Sequence, residues 1–279
     1  MERIGPNFEN DSFQAKFNKF GFVKIPLLAS EEVASLKHVY TQVKQAHDNI
    51  ALPFITTSHS NNAELITKVN DRILEIVSPK ILNAIAGSEI LFSNFLVKKP
   101  GMNSESDPHQ DINIVDESKF LSFSVWIALD DNNPLNGAMR FLAKSHLFDF
   151  SIRANSSAYW CYDQLSEAMK RDMLSCCTKA GEAIVFAHST IHGSYPNLSK
   201  VDRLACVVSL YPQKANLINY YSKPEDTSQM QLYAMTKDAF VEYVKGEEPH
   251  FGSLIKSFYF SYDKVDAGQY RSLKQNVNK

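Results

Sequence analysis

The sequence is poor in cysteine, carries almost no net charge and has no long hydrophobic run. Its 279 residues include four cysteines, and the formal net charge is -2. Cysteines this sparse predict no disulfide framework and favour a reducing compartment. The small net charge gives no electrostatic reason to expect a nucleic acid or an anionic membrane as partner. No apolar run approaches the roughly 18 residues of a membrane span, and the N-terminus has no apolar signal segment, so we expect a cytoplasmic location.

The composition that is present is typical of a soluble globular domain. Hydrophobic residues make up 44% of the chain and charged residues 22%, which is ordinary for such proteins. No internal repeat or low-complexity linker interrupts the chain, so a single domain is predicted over residues 1–279. Within it we expect a helical N-terminal part over about 1–89, a β-rich core over about 90–212 and a C-terminal extension over about 213–279.

Helical patterns come first along the chain and β-type patterns follow. Ser30 with the two acids after it is typical of a helix start. A second helix is predicted to begin at Ser78-Pro79, because a capping serine followed by proline is typical of a first turn. Five short runs rich in β-branched and aromatic residues then predict strands of a β-sandwich or barrel. These runs are Ile90–Val97, Phe120–Leu129, Gly137–Leu142, Glu182–Ala187 and Leu204–Tyr211.

The tripeptide His109-Gln110-Asp111 is the first feature that points to metal chemistry. On a strand, residues i and i+2 point to the same side, so the histidine and the aspartate can bind one metal ion together. A histidine from a distant strand would complete a set of two histidines and one carboxylate. That set leaves positions open on the metal and is associated with non-haem iron(II) oxygenases.

Two histidines compete for the third ligand position. His188 and His192 lie four residues apart at the end of an apolar strand. The Gly193-Ser194 pair that follows His192, and the spacing from His192 to Arg203, favour His192. His188 is then expected to be a strand-end residue near the ligands. His146, which follows a turn, is expected to have a hydrogen-bonded structural role.

Arg203 opens the last predicted strand and is a candidate anion-binding residue. An arginine in this place can form a bidentate pair with a carboxylate. A 2-oxo acid that chelates iron through its C1 carboxylate and keto oxygen needs such a partner for its distal carboxylate. The sequence therefore offers both a metal site and a site for a co-substrate.

In combination these motifs resemble the phytanoyl-CoA dioxygenase family of iron(II)- and 2-oxoglutarate-dependent oxygenases. The resemblance covers about residues 13–211 and rests on several separate motifs. They are Phe20-Gly21-Phe22-Val23, Ile66-Thr67-Lys68-Val69, His109-Gln110-Asp111, the segment 124–131, Asn136-Gly137, Ser145-His146 and His192-Gly193-Ser194 followed by Arg203. In one departure, Ala143-Lys144 stand where the family often has Pro-Gly. In another, Phe95 stands where some members have other residue types.

The resemblance implies a fold, a set of cofactors and a reaction. The fold is mainly β with helical additions (α+β), around a double-stranded β-helix core (jelly-roll, cupin-like). Fe(2+) would be held by His109, Asp111 and His192, and 2-oxoglutarate by Arg203. With O2, the enzyme would hydroxylate a C–H bond of a small organic molecule, while 2-oxoglutarate is decarboxylated to succinate and CO2.

Four further residues are candidates for contact with the co-substrate. Lys68 is one because its motif resembles a co-substrate lysine of some family members. Trp126 is either a packed aromatic residue or a wall of the co-substrate site. Gln110 points away from its neighbours by strand period, yet next to iron it can reach a bound molecule. Phe95 is a candidate lining residue near the co-substrate.

Alternatives to hydroxylation remain open at this point. The same iron centre can perform desaturation or another oxidative rearrangement, and a jelly-roll that has lost catalysis can simply bind a metabolite. Halogenation is disfavoured, because Asp111 fills the position that chloride would need. No basic run resembles a clamp for the phosphates of coenzyme A, so a free small molecule is the expected substrate. The oligomeric state is not predicted.

Overall fold

A computed structural model describes residues 3–48, 50–60, 62–148, 151–154, 160–223, 225–242, 248–261 and 263–277. The α-helices are α1 (Asp11–Phe20), α2 (Ser30–Asp48), α3 (Ala63–Ala84), α4 (Ser166–Asp172), α5 (Lys237–Glu242) and α6 (Ala267–Asn276). The strands of the first half are β1 (Asn7–Phe8), β2 (Phe22–Pro26), β3 (Phe54–Thr56), β4 (Ile85–Ala86), β5 (Ser88–Lys98), β6 (Ser106–His109), β7 (Phe123–Ala128) and β8 (Met139–Phe141). Those of the second half are β9 (Leu174–Cys176), β10 (Glu182–Ala187), β11 (His192–Ser194), β12 (Arg203–Pro212), β13 (Ile218–Lys223), β14 (Asp226–Ala234) and β15 (Ser253–Tyr259).

Two antiparallel sheets form the jelly-roll core. The major sheet has six strands in the order β2-β10-β7-β12-β5-β3, and the minor sheet has four in the order β6-β11-β8-β9. Neighbouring strands in the sheets are far apart in sequence, as in other double-layered β folds. The predicted class, mainly β with helical additions, is confirmed, and each of the five predicted β runs contains a strand.

The two faces of the major sheet bury different residues. Side chains of β7 alternate: Val125 and Ile127 pack on the outer face, in one cluster with apolar residues of α2 and α3. Trp126 and Ala128 point inward, toward Phe141 of the minor sheet. This alternation follows from the two-residue period of a strand. The helices therefore close the outer face, and the inner face lines the space between the sheets.

Helix α3 corrects the helix that the sequence predicted from Ser78-Pro79. It begins sixteen residues before Pro79, where the side chain of Asn62 caps the backbone N–H of Leu65. Proline inside a helix costs about 3 kcal/mol, since one backbone hydrogen bond is lost. Here the proline lies on the exposed side of the helix. An apolar stripe that includes Val69 and Val77 continues on the buried side, so packing on the sheet outweighs the local helix-breaking signal.

The two ends of the chain extend this core in different ways. The N-terminal part is not only helical, since β2 and β3 form the two edges of the major sheet. The C-terminal extension forms a separate three-stranded sheet, β13-β14-β15. Tyr221 and Tyr233 of that sheet pack with Leu91 and Val115 of the core region. Both ends thus contribute buried residues to one continuous structure.

The structure bears on two expectations drawn from composition. The four cysteines are all free, in agreement with the prediction of no disulfide framework. Among the helices of the described residues, none combines the length and the apolar character that a membrane crossing requires.

Lys144 shows how the chain accommodates a departure from the family motif. Its φ of 68° is the one positive φ among the described residues other than glycine. The family often has glycine here, and glycine adopts this left-handed conformation without steric cost. The backbone N–H of Lys144 donates to the carbonyl of Phe20 (2.9 Å), and its ammonium donates to the carbonyl of Val277 (3.0 Å). The lysine therefore keeps a glycine-like turn at an energetic cost.

We predict that Lys144→Gly is more stable than Lys144→Ala. Both variants lose the ammonium contact, but only alanine retains a Cβ in the left-handed conformation, which costs about 1–2 kcal/mol. Urea denaturation should give a free energy of unfolding higher by roughly 1 kcal/mol for the glycine variant. Equal stabilities would show that the turn relaxes when the lysine is removed.

Candidate metal centre and co-substrate site

The minor sheet brings two of the predicted ligands together. His109 ends β6 and His192 begins β11, and the two residues are directly opposite each other in the antiparallel ladder. Their ring centroids are 4.3 Å apart. On its other side, β11 pairs His192 with Phe141 of β8. Backbone pairing thus sets the spacing of the two imidazoles.

Asp111 completes a group of three potential metal ligands. One ligand atom from each of His109, Asp111 and His192 lies within 4.8 Å of the other two. The prediction placed Asp111 on the same strand as His109, but β6 ends at His109. Asp111 instead follows the strand, and its backbone N–H donates to the carbonyl of His188 (3.0 Å). A loop contact, rather than strand period, positions this carboxylate.

Both ligand imidazoles are oriented by backbone carbonyls. The Nδ1–H of His109 donates to the carbonyl of Asp107 (2.8 Å), and the Nδ1–H of His192 donates to that of Thr190 (2.9 Å). A carbonyl can only accept, so each Nδ1 carries a proton, and Nε2 is then the ring nitrogen that would bind a metal. Hydrogen bonds of this kind orient metal-binding histidines in many proteins. The His192 Nε2 lies 3.8 Å from the Asp111 carboxylate.

The electrostatics of the group favour a divalent cation. Burial lowers the pKa of His192 to about 4, and the nearby His109 contributes to the decrease. Burial by itself would raise the pKa of Asp111, but the neighbouring His192, His188 and His109 hold that pKa below its ordinary value. At neutral pH, His192 is therefore neutral and Asp111 ionised. These are the protonation states that metal coordination requires.

His188, the rival ligand, lies beside the group with a different partner. Its Nε2 is 3.0 Å from the hydroxyl of Ser124 and 4.0 Å from the Asp111 carboxylate. Burial lowers the pKa of His188. The geometry therefore favours His192 as the ligand. His188 lies beside Asp111, outside the group of potential ligands.

A buried ion pair supports the segment that carries Asp111. Arg153 donates from Nε to the backbone carbonyl of Asp111 and from Nη2 to the carboxylate of Glu117. Both side chains of this pair are buried. The backbone N–H of Arg153 also donates to the Asn113 side chain (2.6 Å). Neither Arg153 nor Glu117 stood out in the sequence, since they belong to no local motif.

Arg203 is buried on the inner face of the major sheet, where its guanidinium lies 5.2 Å from the ring of Trp126. Nε and Nη1 have no hydrogen-bond partner among the described residues. Burial lowers the pKa of Arg203 to about 10, so the side chain is still charged at neutral pH. Burying a charged group with unpaired donors is unfavourable unless an anion binds to it.

Asp130 is an acid that raises the pKa of Arg203, but its carboxylate is hydrogen-bonded to other groups. One of its carboxylate oxygens lies 2.6 Å from the ammonium of Lys37. The other accepts the backbone N–H of Leu204 (2.8 Å). The guanidinium is therefore available to an anion that enters from the inner face.

Two further predicted site residues, Gln110 and Trp126, lie near the ligand group and near Arg203, respectively. Gln110 lies beside the ligands, where its amide donates to the carbonyl of Ser189 (2.6 Å) and accepts from the indole of Trp160 (3.2 Å). Its contact with a bound molecule stays a prediction. Trp126 lies on the inner face with its ring near Arg203, and its role as a wall of the co-substrate site stays a prediction.

Two predicted co-substrate residues do not lie at Arg203. Phe95 points to the outer face, where its ring packs 5.4 Å from that of Tyr40, so the expectation that it lines the co-substrate site is wrong. Lys68 is exposed on α3, the helix on that same outer face. None of the described contacts joins it to Arg203. The physical reason is that residue type and motif do not reveal which face of the sheet is internal.

Lys98 is a buried residue of this site that the motif analysis missed. It ends β5 directly opposite Arg203 in the ladder with β12 and is fully buried. In the sequence Lys98 follows the apolar run Phe95–Val97, but a lysine at the end of a strand is usually solvated, and the sequence does not show which face of the strand is internal.

Comparisons with known proteins identify the family of the chain. The sequence model of the phytanoyl-CoA dioxygenase (PhyH) family matches residues 17–205. Over 120 residues the chain is 32% identical to "Phytanoyl-CoA dioxygenase" of Arabidopsis thaliana. The matched segment covers 42% of this chain and 42% of the relative. It is 25% identical over 157 residues to "Phytanoyl-CoA dioxygenase domain-containing protein 1" of Danio rerio, covering 54% of this chain and 50% of the relative. The matched segments thus span at most about half the length of these curated relatives.

Solved structures share the fold at low sequence identity. The epimerase SnoN, in complex with Fe3+, α-ketoglutarate and nogalamycin RO, superimposes with a TM-score of 0.56 at 15% identity, covering 88% of this chain and 95% of SnoN. The α-ketoglutarate-dependent carbocyclase SnoK of nogalamycin biosynthesis gives a TM-score of 0.55 at 18% identity, covering 90% of this chain and 100% of SnoK. These likenesses establish the fold.

The jelly-roll fold, the His-Asp-His group and the buried arginine on the inner face define a class of protein that could hold a metal ion beside an anion. Within that class, the chain belongs to the phytanoyl-CoA dioxygenase family.

We predict that His192→Ala and His188→Ala affect metal binding very differently. Loss of the His192 ligand should weaken Co(II) or Fe(II) binding by more than the roughly 10- to 100-fold typical of losing an outer hydrogen-bond partner. His188→Ala should weaken metal binding by no more than this range, because the His188 imidazole is hydrogen-bonded to Ser124 and is not expected to bind the metal. Calorimetric titration of both purified variants with metal measures the two affinities. The opposite order would transfer the ligand role to His188.

Proposed function

We propose that this protein hydroxylates a C–H bond of a small organic molecule, using O2 and 2-oxoglutarate and releasing succinate and CO2. The observation that carries this proposal is the buried guanidinium of Arg203, which has donors without partners on the inner face of the sheet. A charge buried in this way needs a counter-charge. A 2-oxo acid with a distal carboxylate supplies one.

His109, Asp111 and His192 are the residues that would hold iron(II). Two imidazoles and one carboxylate are a set of ligands that would leave room on the metal for the co-substrate and O2. When bound, the iron supplies the oxidative chemistry, and the protein supplies binding and orientation. The backbone carbonyls of Asp107 and Thr190 hold the two Nδ1 atoms, so both Nε2 atoms would be the metal-binding nitrogens.

The other residues orient the co-substrate and hold the ligand segment. Arg203 binds the distal carboxylate, and the Trp126 ring fixes the guanidinium plane. Arg153, held by Glu117, keeps the Asp111 segment in place through its backbone carbonyl.

A second outcome of the same oxidation is supported by two fold neighbours. SnoN is described as an epimerase and SnoK as a carbocyclase, so this fold is compatible with outcomes other than hydroxylation. Desaturation or an oxidative rearrangement is therefore the alternative proposal. Both would require the same metal group and the same arginine, and product analysis by mass distinguishes them: hydroxylation adds one oxygen atom, whereas desaturation removes two hydrogens.

We propose a free small molecule as substrate and a reducing, cytoplasmic site of action. No basic run suited to coenzyme A is present in the sequence, and the four free cysteines are compatible with a reducing compartment. A screen of 2-oxoglutarate consumption over metabolite classes would identify the substrate. A chain that binds metal but never forms succinate would instead be a metabolite-binding jelly-roll.

We predict that Arg203→Met weakens 2-oxoglutarate binding while metal binding is retained. A charge-assisted hydrogen bond to a carboxylate contributes about 1.5–3 kcal/mol, so the apparent constant for 2-oxoglutarate should rise roughly tenfold or more. The measurements are succinate formation against 2-oxoglutarate concentration and metal titration. Arg72→Met is the control, since Arg72 is an exposed arginine paired with Glu75. An unchanged 2-oxoglutarate dependence of Arg203→Met would refute the anchor.

A further inference from the structure

Lys98 and Arg203 form an adjacent pair of buried cations. They are directly opposite each other on β5 and β12, and side chains opposite each other in an antiparallel pair have Cβ atoms about 4.5–5.5 Å apart. Ala205, two residues beyond Arg203, belongs to the inner apolar cluster, and Leu96 packs against that cluster. Lys98 and Arg203 therefore both point between the two sheets.

The ammonium of Lys98 is fixed inside the protein by neutral groups. It donates to the carbonyls of Ser104 and Tyr195 and lies 5.4 Å from the ring of Phe54. Its stem passes Gly137, where any Cβ would come within 2.4 Å of the lysine Cδ. The turn at Gly137 thus makes room for a lysine that crosses from the major to the minor sheet.

Acidic groups near Lys98 are already occupied. Glu105 raises the pKa of Lys98, while Arg203 and Arg140 lower it. The Glu105 carboxylate, however, is paired with Arg140 and lies 3.4 Å from Lys170. Among the described ion pairs, none joins a carboxylate to Lys98 or to Arg203. Burial, together with the nearby Arg203, lowers the pKa of Lys98 to about 7.

We propose that Lys98 is a second cation of the 2-oxoglutarate site, which takes up a proton when the distal carboxylate binds beside Arg203. The proposal rests on the proposed function and adds to it a residue that selects dicarboxylic 2-oxo acids. The physical basis is that one carboxylate has two oxygens, and two buried cations without an acidic partner lie next to each other. The single negative charge of the carboxylate offsets one of the two positive charges, and its two oxygens can accept hydrogen bonds from both side chains.

The proton balance gives the pH dependence. The proton comes from solvent and adds to the lone pair of the lysine Nζ, and no other bond changes. Below about pH 7 the free protein already carries this proton, so binding takes up little. Above that pH the free lysine is largely neutral while the bound carboxylate keeps it charged. Binding then takes up as much as one proton, and the dissociation constant rises by up to about tenfold per pH unit.

The test is calorimetric titration of the 279-residue chain, loaded with Co(II), with 2-oxoglutarate at pH 6 and pH 8.5. Each titration is run in two buffers of different ionisation enthalpy, which gives the number of protons taken up. The wild type should take up more protons at pH 8.5 than at pH 6 and bind more weakly at pH 8.5. This result does not depend on any variant folding.

Lys98→Met and Lys99→Met form a matched pair of variants. Lys98→Met should weaken 2-oxoglutarate binding on the order of tenfold at pH 6 and lose the extra proton uptake at pH 8.5. Lys99, which is partly exposed and donates to the carbonyl of Ile50 (3.4 Å), should be replaceable without either effect. Binding of 2-oxobutyrate, which lacks the distal carboxylate, should not change in Lys98→Met.

The outcomes separate the two proposals. If the wild type fails to bind 2-oxoglutarate at all, the proposed function itself is wrong. If the wild type binds it with the same proton uptake at both pH values, or if Lys98→Met keeps the wild-type affinity and pH dependence, Arg203 acts alone and the role of Lys98 is refuted.

Discussion

Backbone pairing between β6 and β11 is the interaction on which the candidate metal centre depends. The ladder places His109 opposite His192, so the distance between the imidazoles is set by the separation of two strands rather than by flexible side chains. Gly193 permits this pairing, because a Cβ there would lie 2.6 Å from the backbone oxygen of Ser106. Asp111 lies outside the ladder and depends on loop contacts, among them the hydrogen bond from Arg153.

The difference between the two faces of the major sheet explains where charge can be buried. The outer face is closed by apolar residues of α2 and α3, and this burial is the main favourable contribution to folding. The inner face carries Arg203, whose guanidinium lies next to Trp126. Lys98 lies opposite Arg203 on the neighbouring strand. Buried charges without partners reduce stability. Such exceptions to good packing are expected where a protein binds a ligand.

Much of the fold could be predicted from the sequence, because its signals are local. Runs of β-branched and aromatic residues predicted five of the strands, and the metal motifs pointed to His109, Asp111 and His192. The resemblance to the oxygenase family rested on motifs dispersed over most of the chain, and the family match over residues 17–205 agrees with it. Residue type and period are properties of short segments, so these features need no knowledge of which strands are neighbours.

Tertiary structure decided which face is internal and which residues meet there. The sequence by itself determined five central strands, the metal-binding residue types and the candidate anchor Arg203. It did not show that Phe95 faces the helices, that α3 continues through Pro79 or that Lys98, rather than Lys68, lies opposite Arg203. The reason is physical: strand pairing and helix packing join residues far apart in the chain, and their burial energies outweigh local preferences.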